Sequence, residues 1–353
     1  MVLSAEDPRV SRHPAAFAVR TFHILPQKAA TSVPRARLVA AADFVLPILT
    51  YLAAHLLKAI RGVGVHRLPR TRAVLDRVGV LPIRDHYYEP LTRPDRLRRT
   101  LQSERLLPGI DFNEAGQLAL LRQFDYSAEL TAFPLEAAGP VEFYYRNGSF
   151  ASGDAEMLYS MIRHFKPARV IEIGSGVSTL LVRSAIEANR REMTTYACRH
   201  VCIEPYEAPW LESTGAEVIR ELVERLDPSM FLELDRNDVL FIDSSHMIRP
   251  QGDVLFEVLE LLPQLRPGVF VHFHDIFTPR DYLREWVVEQ RLLWNEQYLV
   301  EAFLSCNRSY QIVAALNFLA HRHPEALGRV CPVFAKDRDS REPGSLWLVR
   351  ADA

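Results

Sequence analysis

VIEIGSGVSTL, residues 170–180, governs how this chain is read. Residues 170–173 form a short apolar run that carries one acid, Glu172. Gly174, Ser175 and Gly176 break the run, and an apolar pattern at helical spacing starts near Ser178. A strand that ends in a glycine turn and opens a helix lets a ligand approach the backbone closely, because no Cβ stands in the way. A dinucleotide pyrophosphate could use such a turn, but its fingerprint spaces the glycines as G-x-G-x-x-G. Thr179 stands where the third glycine would be. A plain strand–turn–helix crossover also fits, so the neighbouring segments must decide.

Residues 201–204 (VCIE) read as a second apolar strand ending in an acid, about thirty residues after the first. A carboxylate at the tip of a neighbouring strand can accept from both hydroxyls of a ribose, which makes Glu204 the ribose candidate. Residues 238–243 (DVLFID) give a third strand, followed by Ser244, Ser245 and His246. Residues 268–275 (GVFVHFHD) give a fourth. Between these two, residues 253–265 are apolar at helical spacing and stop at Pro267-Gly268. Strand, helix and strand repeat, so the class is α/β with a mainly parallel sheet, whose ligands bind outside the carboxyl ends of the strands. Glu204, Asp243, His246, His274 and Asp275 all fall there.

From about residue 90 onward the chain resembles class I S-adenosylmethionine-dependent methyltransferases, in a bacterial group related to the methyltransferase 24 and macrocin O-methyltransferase families. The strings that carry the resemblance include FYYRNGSFASGDAEMLY, VIEIGSGVSTLL, CIEPY, DVLFIDSSHM, PGVFVHFHDIFTPRDYLREWV, WNEQYLVEAFL and GSLWLVR. IDSSH followed by VHFHDIF at this distance is the specific part; E-x-G-x-G alone is not. The resemblance implies a Rossmann-like, seven-stranded, mainly parallel sheet whose last strand runs antiparallel, with residues 310–314 and 345–349 supplying the final two strands. It also implies S-adenosylmethionine as cofactor, lying on Glu172, Gly174, Ser175, Gly176 and Ser178, with Glu204 at the ribose and Asp243 and Ser244 beside it. In related enzymes the segment ahead of the glycine turn folds over the cofactor. Asn147 and Phe150 are therefore candidate contacts, along with Ser149. A plain turn at Asn147-Gly148 is an equal reading.

Methyl transfer from a sulfonium is an in-line displacement with a good leaving group, so the protein must align the nucleophile and remove its proton. Two mechanisms fit the residues at the strand ends. In one, His246 or His274 is a general base, beside Asp243. In the other, Asp243, His274 and Asp275 hold a divalent ion that acidifies an acceptor hydroxyl. Related metal-dependent O-methyltransferases show an acid or amide where His274 stands. Nitrogen in the donor set favours manganese, iron or zinc over magnesium. His272 shares a face of its strand with His274. The acceptor is expected to be a small molecule, with an oxygen of a secondary or sugar-linked metabolite favoured. Its identity is not readable from sequence. Another metal- or sulfonium-dependent reaction on the same scaffold, or a non-catalytic partner-binding module, stays open.

The remaining sequence sets the organisation. Residues 166–353 form the cofactor-binding domain and residues 91–165 a helical lead-in. Within the lead-in, Asp111 or Asn113 can cap a helix at Glu114, and Asp154 can cap one through residues 157–165. Residues 1–90 form a basic, partly apolar, helical extension containing Arg9, Arg12, Arg20, Lys28, Arg35, Arg37, Lys58, Arg61, Arg67, Arg70 and Arg72. Residues 38–57 are nearly continuous in apolar residues and predict a helix, broken or kinked at Pro47. Three placements fit it: packed on the domain or on a partner subunit in a homo-oligomer, lying on a membrane surface, or spanning a bilayer. Asp43 and His55 weigh against the span, and the arginine-rich stretch ahead weighs against a signal peptide. A net charge of −2 gives no electrostatic case for nucleic acid. Cys198, Cys202, Cys306 and Cys331 make no C-x-x-C pair and read as thiols of a cytoplasmic, membrane-associated or soluble protein.

Overall fold

The structure, a computed structural model, describes residues 33–139 and 141–352. Arg9, Arg12, Arg20 and Lys28 lie outside the described residues. Seven strands, β1 (Arg169–Ile173), β2 (Arg199–Ile203), β3 (Glu217–Ile219), β4 (Val239–Ile242), β5 (Phe270–Phe273), β6 (Tyr310–Ala315) and β7 (Leu346–Arg350), form one sheet in the order β3-β2-β1-β4-β5-β7-β6. All pairs are parallel except those of β7, which is antiparallel to both β5 and β6. This is the Rossmann-like, mainly parallel α/β sheet that the resemblance implies, carrying an N-terminal helix.

The central strands owe their position to their apolar runs. VLFI in β4 and FVHF in β5 are buried throughout, as strands covered by helices on both faces must be. Helices Asp154–Phe165 and Val177–Glu192 pack together on one face. The strand order reverses between β1 and β4, and a cleft opens at that switch point outside the carboxyl ends. β3 is an addition to the sequence reading: three half-exposed residues at a sheet edge carry too short a pattern to signal a strand. The helix read over residues 253–265 is present but irregular. It starts as α at Asp253–Leu255, widens to a π turn over Phe256–Leu261 and tightens over Leu262–Gln264, where Pro263 removes an N–H.

Several expected caps are different. Asn113 precedes helix Glu114–Leu121, but its side-chain amide donates to the Ile312 carbonyl instead. Asp154 is the first residue of its helix, not its cap. Its Oδ1 accepts from the amides of Gly344 (3.0 Å) and Ser345 (2.8 Å), tying the lead-in to the approach of β7. Glu156 takes the capping role, accepting from Gly153 N at 3.0 Å. Burial pushes its carboxyl up to about 7.

The extension holds the largest departure. One helix runs over Val33–Val63, longer than expected and unbroken at Pro47. Residues 39–56 are exposed along their whole length, so the helix is not packed on the domain. The sheet faces are already covered by other helices. Its C-terminal end is fixed by Arg61, whose guanidinium donates to both oxygens of Glu89 at 2.8 and 3.0 Å.

Candidate functional site

The cleft at the switch point measures about 370 Å³ and is lined by Gly174, Glu204, Leu222, Glu224, Asp243 and Ser244 among others. Gly174 has φ 76°, and a Cβ there would stand 1.8 Å from the Asp243 carbonyl oxygen. Gly176 is extended, and nothing lies within 4 Å of its would-be Cβ. One glycine therefore permits the turn, and the other keeps space open above it. Glu204 Oε1 accepts from the amides of Tyr206 and Glu207 at 2.8 Å each, while Oε2 stands 3.5 Å from Ser175 N. The loop fixes this carboxylate and leaves Oε2 with acceptor capacity, which suits a vicinal diol.

Other residues expected at the cofactor have different partners. Glu172 is fully buried; its Oε2 accepts from Ser178 Oγ (2.9 Å) and Thr179 Oγ1 (3.1 Å), and its Oε1 lies 2.5 Å from His200 Nε2. It anchors the first turn of helix Val177–Glu192, where a carboxylate complements the amide ends. Glu172 and Ser178 thus hold the glycine turn from beneath and do not line the cleft. Cys202 completes this knot with Sγ 3.9 Å from Glu172, and burial pushes its thiol up, so it stays protonated. Asn147 is occupied by its own turn: Nδ2 donates to Tyr144 O and Phe150 O, and Oδ1 accepts from Ser149 N and Phe150 N. Phe150 is buried with its ring 4.9 Å from that of His274, a wall behind that histidine. Ser244 faces the cleft but donates to Glu257 Oε2 at 3.0 Å. The Ser175 hydroxyl is buried without a partner.

Next to the cleft, Asp243, His246 and Asp275 each direct one ligand atom into a common space, all within 4.8 Å of one another. His246 Nε2 lies 3.4 Å from Asp243 Oδ1 and 3.5 Å from Asp275 Oδ2. Its Nδ1 is 2.8 Å from Glu296 Oε2. His246 and Asp275 both have φ 58°, the left-handed region that non-glycine residues rarely adopt. These two turns aim side chains from the ends of β4 and β5 across each other. Of the expected set Asp243, His274 and Asp275, the two acids converge with His246, and His274 stands outside that group. His274 follows the alternation of β5 and lies on the His272 side, against Phe150, with Nε2 3.5 Å from Asp275 Oδ1.

The charges follow from this packing. Burial would lower the His246 pKa, yet hydrogen bonds to Asp243 and Glu296 and the charge of Asp275 outweigh it and raise it well above the usual value. This direction favours the protonated imidazole in the metal-free state. His274 is raised too, against burial, by Asp275, Asp243 and Asp154. His272 goes the other way: burial and the neighbouring His274 hold it well below, so it is neutral, 3.0 Å from Ser345 Oγ and stacked on Phe241. Burial, then Glu296 and Asp253, raise Glu257 well above the carboxylate range.

Sequence reasoning assigned no role to Glu296, Glu257 or Glu224. Glu296 starts helix Glu296–Leu304 and was visible only as an acid amid the apolar residues of WNEQYLVEAFL. Glu224 lines the cleft with Oε2 buried and unpartnered, a polar end available to a ligand there. Trp294 covers the cluster, its ring 4.3 Å from His246, and Trp286 lies 5.1 Å beyond.

Residues 171–276 match the family model described as a methyltransferase domain, that of methyltransferase 24. The sheet order, the glycine turn and this match over residues 171–276 are those expected of a class I S-adenosylmethionine-dependent methyltransferase domain. An uncharacterized protein of Archaeoglobus fulgidus is 28% identical over 181 residues, covering 48% of this chain and 80% of the relative. A crystal structure of an O-methyltransferase from Bacillus cereus in complex with SAH aligns over 66% of this chain and 90% of its own, at 14% identity and a TM-score of 0.34. A likeness that low has no bearing on the site.

Proposed function

We propose that the protein transfers a methyl group from S-adenosylmethionine to an oxygen of a small-molecule acceptor, with a divalent ion at Asp243, His246 and Asp275. The observation that carries this reading is Asp243, which belongs both to the cleft and to the carboxylate–imidazole cluster. A methyl donor in the cleft and an acceptor at the cluster would meet at that side chain, and displacement requires reacting atoms roughly 3–3.5 Å apart. Two carboxylates and one imidazole nitrogen suit manganese, iron or zinc better than magnesium. Glu296 on Nδ1 is the outer partner that fixes a ligating histidine, with Nε2 turned inward. The ion would acidify an acceptor hydroxyl. Glu204 would hold the ribose, and Trp294 with Trp286 would exclude water on the acceptor side. We place the reaction in the cytoplasm, a setting that suits four free cysteines, three of them buried.

Calorimetry with S-adenosylhomocysteine, with and without chelator, tests the reading, followed by a metabolite screen with labelled methyl donor. Absence of S-adenosylhomocysteine binding would overturn it. Chelator should leave that binding and remove transfer; full transfer by metal-free protein would reject the ion. Glu204→Ala should weaken S-adenosylhomocysteine binding by roughly 1.5–3 kcal/mol, the cost of a lost charge-assisted hydrogen bond. Unchanged affinity would remove Glu204 from the ribose.

A further inference from the structure

Three features of residues 33–89 lie outside the cleft and its carboxylate–imidazole cluster and point to one partner. The first is the exposed helix. Val39–Val63 is long and apolar enough to cross a membrane by length and composition, and none of its most apolar stretch is buried in the protein. Phe44 is 86% exposed, and Val45, Ile48, Leu49, Leu52 and Leu56 are all exposed as well. Its pattern fits lying along a bilayer better than crossing one. Asp43, Pro47, Thr50, Ala54, Lys58 and Arg61 recur at steps of three or four and form one row along the helix. Val45, Leu49, Leu52 and Leu56 occupy the opposite side. Between Asp43 and Lys58 the 14 residues 44–57 cover only about 21 Å, short of the roughly 30 Å hydrocarbon core. A span would therefore draw a charge into hydrocarbon, whereas a helix in the headgroup plane keeps the whole row wet.

The second feature is a cleft of about 430 Å³ at the C-terminal end of this helix, lined by Arg61, His66, Arg72, Arg84 and Glu89 among others. Glu89 is its one acid, and Arg61 already engages it through both oxygens. Arg84 Nε is buried without a hydrogen bond and stands 3.6 Å from Glu89 Oε1, so one carboxylate faces two guanidinium groups. The cleft is thus cationic and open to a phosphate-bearing headgroup. The third feature is the pair Tyr87 and Tyr88, 90% and 86% exposed with rings 5.2 Å apart, on the segment that carries Glu89. Exposed tyrosines with apolar rings and polar tips suit the bilayer interface.

We propose that residues 33–89 dock the protein on an anionic bilayer surface, with the apolar side of helix Val33–Val63 in the outer acyl layer. Arg61, Arg72 and Arg84 meet anionic headgroups, and Tyr87 and Tyr88 sit at their level. The anionic partner follows from the charge of the cleft, and Lys58, Arg67 and Arg70 extend that charge along the same region.

Full-length protein sedimented with phosphatidylcholine vesicles, and with vesicles of phosphatidylcholine and phosphatidylglycerol, tests this. Binding should favour the anionic vesicles by more than about tenfold, because several basic residues act together. The Leu49→Glu/Leu52→Glu variant should lose vesicle binding by more than about tenfold, since it removes two exposed leucines from the apolar side that would enter the acyl layer. Arg72→Glu should keep residual binding and lose most of the anionic preference. Thermal melting and circular dichroism of both variants should match wild type, which separates lost docking from lost folding. Alkaline carbonate should release the bound protein. Equal or absent binding to the two vesicles would overturn the proposal, as would retention after carbonate, the mark of a span. A lipid-free oligomer that the double leucine variant dissociates, with no vesicle binding by wild type, would assign the face to a second copy and equally overturn it.

Discussion

His246→Ala should abolish divalent-ion binding and lower methyl transfer by roughly two to four orders of magnitude, the range for a group that prepares the nucleophile. The loss has two sources. Nε2 is the nitrogen that faces Asp243 and Asp275, and Nδ1 is the partner of the buried Glu296. Removing the ring leaves three carboxylates converging with no cation between them. His274→Ala should be milder in ion content, because His274 stands outside the convergent set and lies against Phe150. Glu296→Gln should weaken ion affinity by about 10–100-fold while leaving the ligands in place. Elemental analysis of purified variants alongside turnover checks each arm. A His246→Ala protein that keeps its ion, or a His274→Ala protein that loses it, would reverse the assignment.

The same cluster sets a pH dependence. His246 is raised above its ordinary value, and its stabilising contribution is present below about pH 6.5. That contribution is lost as pH climbs through the raised value. Glu257, Glu296 and Asp275 are raised as well, each first by burial. Their contributions have the same sign and begin to be lost above about pH 4, so His246 and Glu257, raised well above their usual values, carry the slope at higher pH. Metal-free protein should therefore melt lower as pH rises from 6 toward 9, and a bound ion should flatten that slope by taking the place of the proton. Melting curves with and without chelator across that range read it directly.

How much of this was legible in the sequence depended on whether a local pattern sufficed. VIEIGSG, VLFI and FVHF announce buried strands, because parallel strands covered on both faces are simply apolar. Their order and the position of the cleft follow once the crossovers are right-handed. The positions of Glu204 and Asp243 at the cleft were legible for the same reason: a strand tip has one place to point. The histidines were not. Alternation along β5 placed His274 correctly on the His272 side. The left-handed turns at His246 and Asp275 then re-aimed the chain beyond each strand end, and no residue type announces a non-glycine φ of 58°. Glu296 lies fifty residues from His246 in sequence. Only the fold brings helix Glu296–Leu304 against the end of β4. Helix Val33–Val63 was legible as a helix, but its environment was not, because composition alone does not distinguish a buried helix from one facing lipid.

The two glycines of the motif should separate fold from ligand. Gly174→Ala meets two obstacles at once: φ 76°, which an alanine tolerates poorly, and a Cβ position 1.8 Å from the backbone carbonyl of Asp243. Because the obstructing atom is backbone on the adjacent strand end, β1 and β4 must move apart to admit the methyl. The hydrogen bond of 2.8 Å that Asp243 N donates to Ile173 O lies in the path of that movement. Gly174→Ala should destabilise the domain by more than about 3 kcal/mol, at the upper end for a single substitution at a strained position. Gly176→Ala should do the reverse. Its φ of −165° is open to any residue and its would-be Cβ meets nothing, so the melting temperature should stay close to wild type. The added methyl projects into the space above the turn, where a bound cofactor would pass, and S-adenosylhomocysteine affinity should fall by at least about tenfold, or 1.4 kcal/mol. Thermal melting and calorimetry on both variants decide the matter. A stable Gly174→Ala protein would mean the turn can relax away from Asp243, whereas full affinity in Gly176→Ala would mean the cofactor does not cross the turn there.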